Sequence, residues 1–342
     1  MKKLLSLFSI GALLSLLVVA CSNSDSRLLI KINQPKIGVA ISNLNDPFLS
    51  EVKTAISDEA RGNLKVDIVD CQDSQPIQND NIDQFLSKKY DVIAINLVDR
   101  TAASHLIERA KEENVPVIFF NNKPEGTDLQ KYDKAYYVGT LPEQSASLEG
   151  ELVVDYFKAH HEADKNKDGI IQYVMLSGTP KEQDTELRTK FSVDAIENWG
   201  LKVQKIAEDT AMWNRKKAET KMTSILSTHD NKIEAVIANN DDMALGAIDA
   251  LKAKGYFNGT KSIPVVGIDG TGEALQAIKA GTLLGTVLND GKSQGKAISQ
   301  LAISLVKKKI PSQDNMDFEM TDGKYIWIPF KKITIDNLDE AE

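Results

Sequence analysis

Cysteine is nearly absent from this chain: Cys21 and Cys71 are the only two in 342 residues. Two cysteines so far apart offer no disulfide framework and no metal site. Clustered positive charge is missing as well. Lys and Arg number 41 against 49 Asp and Glu, for a net charge of −8. An acidic chain without a basic patch argues against nucleic acid as a partner. The run Lys307-Lys308-Lys309 reads as a helix end, where positive charge is favourable. No His accompanies a candidate nucleophile in the sequence. Gly270-Thr271-Gly272 begins like a nucleotide-binding loop, but Leu275 holds the third glycine position; it reads as a turn that lets backbone approach a ligand. No short-period repeat is present.

What is present suits a globular protein. At 42% hydrophobic and 26% charged, the chain can bury two cores, and its length predicts two domains. Lys2 and Lys3 precede an apolar run, Leu4 to Ala20, which reads as a targeting segment. It closes in Val18-Val19-Ala20-Cys21, which resembles the lipobox of bacterial lipoproteins and implies lipidation of Cys21. The expectation is a globular part outside the cytoplasmic membrane, in the periplasm or at the cell surface. It would be held by that lipid alone, with 22–34 as a tether. Cys71 then has no intrachain partner and reads as a small buried apolar residue.

The chain is organised around EAVIANNDDMALGAIDAL (234–251). Ala235 to Ala238 is a short apolar run, Asn239, Asn240 and Asp241 follow at once, and Met243, Ala244, Ala247, Ile248 and Leu251 recur at helical spacing. The phrase returns in IGVAISNLND (37–46), VIAINLVD (92–99), PVVGID (264–269) and GTVLND (285–290). Five strands therefore end in Asn or Asp, at the carboxyl edge where open α/β sheets bind ligands. From Lys36 strands and helices alternate, which predicts parallel sheets covered by helices on both faces. Strands are predicted at 36–41, 66–71, 92–96 and 116–120, then near 135–138, 171–176, 201–207, 235–238, 265–268 and 285–288. The polar stretch Asn121 to Lys134 reads as a bridge between the two series.

Asp164-Lys-Asn166-Lys-Asp168-Gly169-Ile170-Ile171-Gln172 carries oxygen ligands at positions 1, 3, 5 and 9 and glycine at 6. That spacing wraps a hard cation of calcium size, with the Ile170 carbonyl at position 7. Met175 stands where an EF-hand needs Glu, because this loop runs into a strand.

From about Lys36 to Leu338 the sequence resembles the periplasmic galactose/glucose-binding proteins, the sugar-capturing subunits of bacterial ABC importers. AINLVD (94–99), YDKAYYVGT (132–140), DTAMW (209–213), VIANND (236–241) and GTVLND (285–290) carry the likeness. The resemblance implies a periplasmic binding protein-like α/β fold, two doubly wound parallel-sheet domains joined by a three-segment hinge. Crossovers are expected near Phe120–Asn122, Asn289–Gly291 and Ile328–Phe330. The first domain would take 35–120 plus 291–327, and the second 121–290 plus 328–342.

The resemblance also implies a site. Phe48 and Trp213, from different domains, match the aromatics that stack on the two faces of a hexose. Asp46, Asn96, Asp184, Arg188, Asn240, Asp269 and Asn289 match the polar residues around its rim. Taken singly, a strand-end Asn or Asp also caps turns and helices, and Asp184 with Arg188 also makes a surface ion pair. Glu182 departs from the family, which has His there, and puts the grip on the sixth position of the sugar in question. Glu234 matches the residue that completes a structural calcium shell with Asp164, Asn166, Asp168, Ile170 and Gln172. The function implied is capture of galactose or glucose by a monomer and delivery to an ABC permease, with no bond made or broken. A sensor presenting its closed form to a chemoreceptor or kinase is the alternative. A glycoside hydrolase is disfavoured, because aromatics on both faces leave little room for a leaving group.

Overall fold

The computed structural model describes residues 34–259 and 261–341. The targeting segment, Cys21 and all but the last residue of the tether lie outside them. Among the described residues no helix is long and apolar enough to cross a membrane.

Strand and helix alternate through both halves. The first half runs β1 (Lys36–Ile41), α1 (Pro47–Ala60), β2 (Lys65–Asp70), α2 (Gln75–Ser87), β3 (Val92–Ile95), α3 (Ala103–Glu112), β4 (Val117–Phe120) and β5 (Ala135–Gly139). The second runs α4 (Pro142–Ala159), β6 (Ile170–Ser177), α5 (Gln183–Asn198), β7 (Lys202–Thr210), α6 (Arg215–His229), β8 (Ala235–Ala238), α7 (Asp241–Ala253), β9 (Val265–Asp269), α8 (Gly272–Lys279) and β10 (Gly285–Leu288). Then follow α9 (Gly291–Val306), β11 (Tyr325–Trp327) and β12 (Lys331–Ile333).

Two six-stranded sheets result, ordered β11-β5-β4-β3-β1-β2 and β12-β10-β9-β8-β6-β7. Every pairing is parallel except β10 with β12. Side-chain alternation gives each sheet two buried faces. Along β3, Val92 and Ala94 join the core under α1 and α9, while Ile93 and Ile95 join the one under α2 and α3. Along β6, Val174 and Leu176 face α6 and α7, and Tyr173 and Met175 face α4. In each sheet the strand order reverses at one point, between β1 and β3 and between β6 and β8. These switch points open a crevice at the carboxyl ends of the strands.

One predicted boundary is corrected. Strand β5 belongs to the first sheet, pairing with β4 from Val117↔Ala135 to Phe120↔Val138. The polar stretch 121–134 is therefore the crossover connection from β4 to β5, with its short helical turn (Asp128–Lys131) beside α3. The chain leaves the first lobe at Thr140–Leu141, not at Phe120–Asn122. The other two passages fall at 289–290 and 328–330, between elements of different sheets.

Candidate functional site

Short polar loops follow the strands of both lobes at their switch points, and a cavity of about 450 Å³ lies between them. That size is within the roughly 300–1,000 Å³ usual for small-molecule sites. Asp46, Phe48, Glu182, Asp184, Arg188, Trp213, Asn240, Asp269 and Asn289 all line it. Capping and lining coincide here. Asp46 caps α1, accepting from Leu49 N at 2.9 Å, and Asn240 caps α7, accepting from Met243 N at 3.0 Å. Each uses one oxygen on its helix and still faces the cavity.

Arg188 is the charged centre of the second lobe. It is buried, donates to the Asn239 carbonyl at 2.8 Å and to Asp184 Oδ2 at 3.1 Å, and lies 3.8 Å from Asp269 Oδ1. Asp184 and Arg188 sit one turn apart on α5, so the helix itself aligns the pair. Trp213 rests its ring against Gly178, where a Cβ would lie 2.1 Å from Cζ2. Its backbone is left-handed at φ 59, and its indole N–H donates to Glu182 Oε2 at 2.7 Å. The Arg188 guanidinium lies 5.8 Å from the ring centroid.

Burial dominates the electrostatics. It pushes the Asp46 carboxyl up to about 6 and Glu182 up to about 7, the latter against the opposing Trp213 hydrogen bond and with help from Asp184. Asp269 is raised well above the carboxylate range by burial, despite Arg188. Carboxyls of this kind beside amides offer both donors and acceptors, which is what a ring of hydroxyls requires. Among the described residues no His or Cys lines the cavity.

Asn96 stands apart. Its side chain is buried and does not line the cavity; it ties strand ends together, accepting from Ser42 N at 3.1 Å and Ser42 Oγ at 2.6 Å and donating to the Phe120 carbonyl at 3.4 Å. Asn121 and Asn122, directly after β4, line the cavity in its place, and Asn121 adopts φ 57. They carry the same strand-end phrase as the others. The polar bridge reading of 121–134 concealed it. Asn43, Asn45 and Asp242, which lie within the strand-end phrases, also line the cavity, as do Asp73 and Lys217, which carry no such signal. Gly270 does not; it borders a neighbouring cavity with Pro47, Glu51 and Glu273.

The profile of the periplasmic binding protein domain matches residues 37–310. This chain belongs to the periplasmic binding protein family. It is 41% identical over 308 residues to the D-galactose/methyl-galactoside binding periplasmic protein MglB of Haemophilus influenzae, covering 89% of this chain and 91% of the relative. It is 30% identical over 274 residues to the ribose import binding protein RbsB of Bacillus subtilis, covering 80% and 82%. Among solved structures, it superposes with TM-score 0.75 at 29% identity on an ABC transporter solute binding protein of Bacillus halodurans with bound myo-inositol, covering 90% and 96%. A Mycobacterium smegmatis structure in complex with β-D-fucofuranose shares the fold, with TM-score 0.76 at 21% identity, covering 90% and 93%.

In this family member the loop 164–172 forms a second polar cluster, outside the lining of the cavity. Asp168 Oδ2 accepts from Asn166 Nδ2 at 2.9 Å and from Gln172 Nε2 at 3.0 Å. Asn166 and Gln172 also meet each other, at 3.3 Å. Asn166 Oδ1 accepts from Asp168 N at 3.0 Å. Glu234 is buried beside the loop, accepting from Lys165 N at 2.6 Å and Gln172 N at 3.0 Å. Asp164 accepts from Lys167 N and Gly169 N at 2.7 and 2.9 Å. Among the described residues no three His, Cys, Asp or Glu side chains gather as a metal cluster; the donor set is a mixture of carboxylates, amides and the Ile170 carbonyl. Such a set suits a hard cation that takes six to eight oxygens.

Proposed function

We propose that this chain is an extracytoplasmic solute-binding protein that captures D-galactose or D-glucose between its lobes and delivers it to an ABC permease. The carrying observation is the interlobe cavity, which holds one aromatic from each lobe, Phe48 and Trp213, together with acids and amides from strand ends of both sheets. Aromatic faces suit the C–H faces of a pyranose, and the Arg188–Asp184 pair can hold a hydroxyl by charge-assisted hydrogen bonds. The similarity to the galactoside-binding protein of Haemophilus influenzae supports this choice of ligand. A ligand touching both lobes favours their closed arrangement, and the permease, or a chemoreceptor, would read that state.

Calorimetric titration with D-galactose, D-glucose, D-fucose, D-ribose and myo-inositol tests the reading. Saturable binding of a hexose in preference to ribose is expected. Binding of myo-inositol with no response to galactose or glucose would replace the ligand, and no binding by any of them would refute the proposal.

The loop 164–172 with Glu234 would hold a structural calcium, through Asp164, Asn166, Asp168, the Ile170 carbonyl and Gln172. The ion would stiffen the second lobe, since six residues of chain separate Glu234 from Asn240, roughly 20 Å at about 3.3 Å each. A lipid on Cys21 would keep the receptor at the membrane surface, and metabolic labelling with a fatty acid, lost in C21S, tests it.

A further inference from the structure

Behind Arg188, away from the cavity, five buried polar atoms have no hydrogen-bond partner among the described residues. They are both carboxyl oxygens of Glu149, Arg188 Nε and the hydroxyls of Thr185 and Ser192. Thr185, Arg188 and Ser192 are spaced three and four apart on α5, so they share one face of that helix. Glu149 projects from α4, which lies against α5 so closely that a Cβ on Gly150 would come within 2.4 Å of the Ser192 carbonyl. The stripe of α5 that meets α4 is thus polar where a packed helix is ordinarily apolar. The inventory matches: three orphaned donors stand opposite one carboxyl with four lone pairs. Buried polar groups left without partners are rare enough to need an account.

We propose that Glu149 is a positioning residue for Arg188. Its carboxyl accepts from Arg188 Nε and from the Thr185 and Ser192 hydroxyls, directly or across ordered water, and sets the angle at which the guanidinium meets a sugar hydroxyl. The inference rests on the sugar-binding reading above for its consequence, though not for its geometry. Arg188 is held through its two terminal nitrogens by the Asn239 carbonyl and Asp184, which leaves Nε–H of the same rigid plane without a partner. Glu149 completes the set from the other side. Its carboxyl is raised well above the ordinary range by burial, against the pull of Arg188 and with the push of Asp241.

Two measurements test this. E149L is expected to weaken D-galactose binding at least tenfold and to lower Tm, because it leaves three buried donors without an acceptor, and E149Q, whose amide carbonyl still accepts, is expected to recover most of both losses. Wild-type affinity in E149L overturns the proposal, as does an E149Q whose affinity stays as low as that of E149L. The second measurement uses ligand-free protein and needs neither a folded E149L nor a bound sugar. The ¹⁵N-coupled Arg188 Nε–H resonance, assigned by its disappearance in R188K, should exchange slowly with solvent and move in E149Q. An Nε–H that stays in place in E149Q overturns the proposal even if galactose binds. A shifted Nε–H in a protein that binds no hexose would sustain Glu149 as the partner of Arg188 and sink the sugar reading instead.

Discussion

Gly178→Ala is the most direct probe of the stacking platform. A Cβ at Gly178 would lie 2.1, 2.3 and 2.4 Å from Cζ2, Cη2 and Cε2 of Trp213, where ordinary contact begins at 3.4 Å. The ring must therefore retreat by about 1.3 Å at its nearest atom. It has little freedom to do so. Its N–H is bound to Glu182 at 2.7 Å, and Met212 and Trp213 are both left-handed, at φ 52 and 59. Either the ring enters the cavity or the hydrogen bond to a buried carboxyl breaks. Overpacking of this kind costs about 1–3 kcal/mol. Expressed in binding, that is a loss of roughly five- to 150-fold in affinity for D-galactose. Titration calorimetry reads the affinity, and emission from Trp213 with Trp199 and Trp327 replaced by Phe reads the ring's surroundings. Unchanged affinity with an unchanged emission maximum would refute the placement of Trp213 as a stacking surface.

Trp213→Ala should cost about 1 kcal/mol or more in galactose binding, roughly fivefold in Kd, because stacking adds to the area buried; equal affinity would place the ring outside the site. Burial raises Glu182 to about 7 and Asp46 to about 6, so the folded state holds these protons more tightly than the unfolded chain. Their contribution to stability is complete below the ordinary carboxylate range near pH 4 and is lost as pH rises through about 6 to 7. Ligand-free protein should thus melt higher near pH 5.5 than near pH 8, with a shallower dependence in E182Q; matching slopes would show that Glu182 does not titrate there. Chelation should lower Tm more than it lowers galactose affinity, since a metal held a hundredfold above its Kd adds about 2.7 kcal/mol to the folded state. A melting curve indifferent to chelator, or one equally responsive in E234Q, would count against calcium at this loop.

Much of this architecture was legible in the chain. The apolar runs at 37–41, 92–95 and 235–238 are buried on both faces, and their shortness together with hydrophobicity marks them as strands. Helix starts are marked by their own caps, as at Asp46 and Asn240. Because a capping side chain at a strand end sits at the carboxyl edge of a parallel sheet, the same residues announced the site. Local sequence carries that information, since a cap needs only its own helix.

Tertiary structure decided the rest. Whether 135–139 continues the first sheet or begins the second depends on which edge it finds, and the open edge of β4 settled it. Asn96 and Asn121 end neighbouring strands with the same chemistry. One is absorbed in tying β1 to β4, and the other faces the cavity. The hydrogen bond from Trp213 to Glu182 and the isolation of Glu149 behind Arg188 join residues more than thirty positions apart in the sequence. The chain by itself determined its strands, its helices and the chemistry at their ends, because those follow from periodicity and capping. Which of those ends face one another was decided by packing, because it depends on how two separate sheets meet.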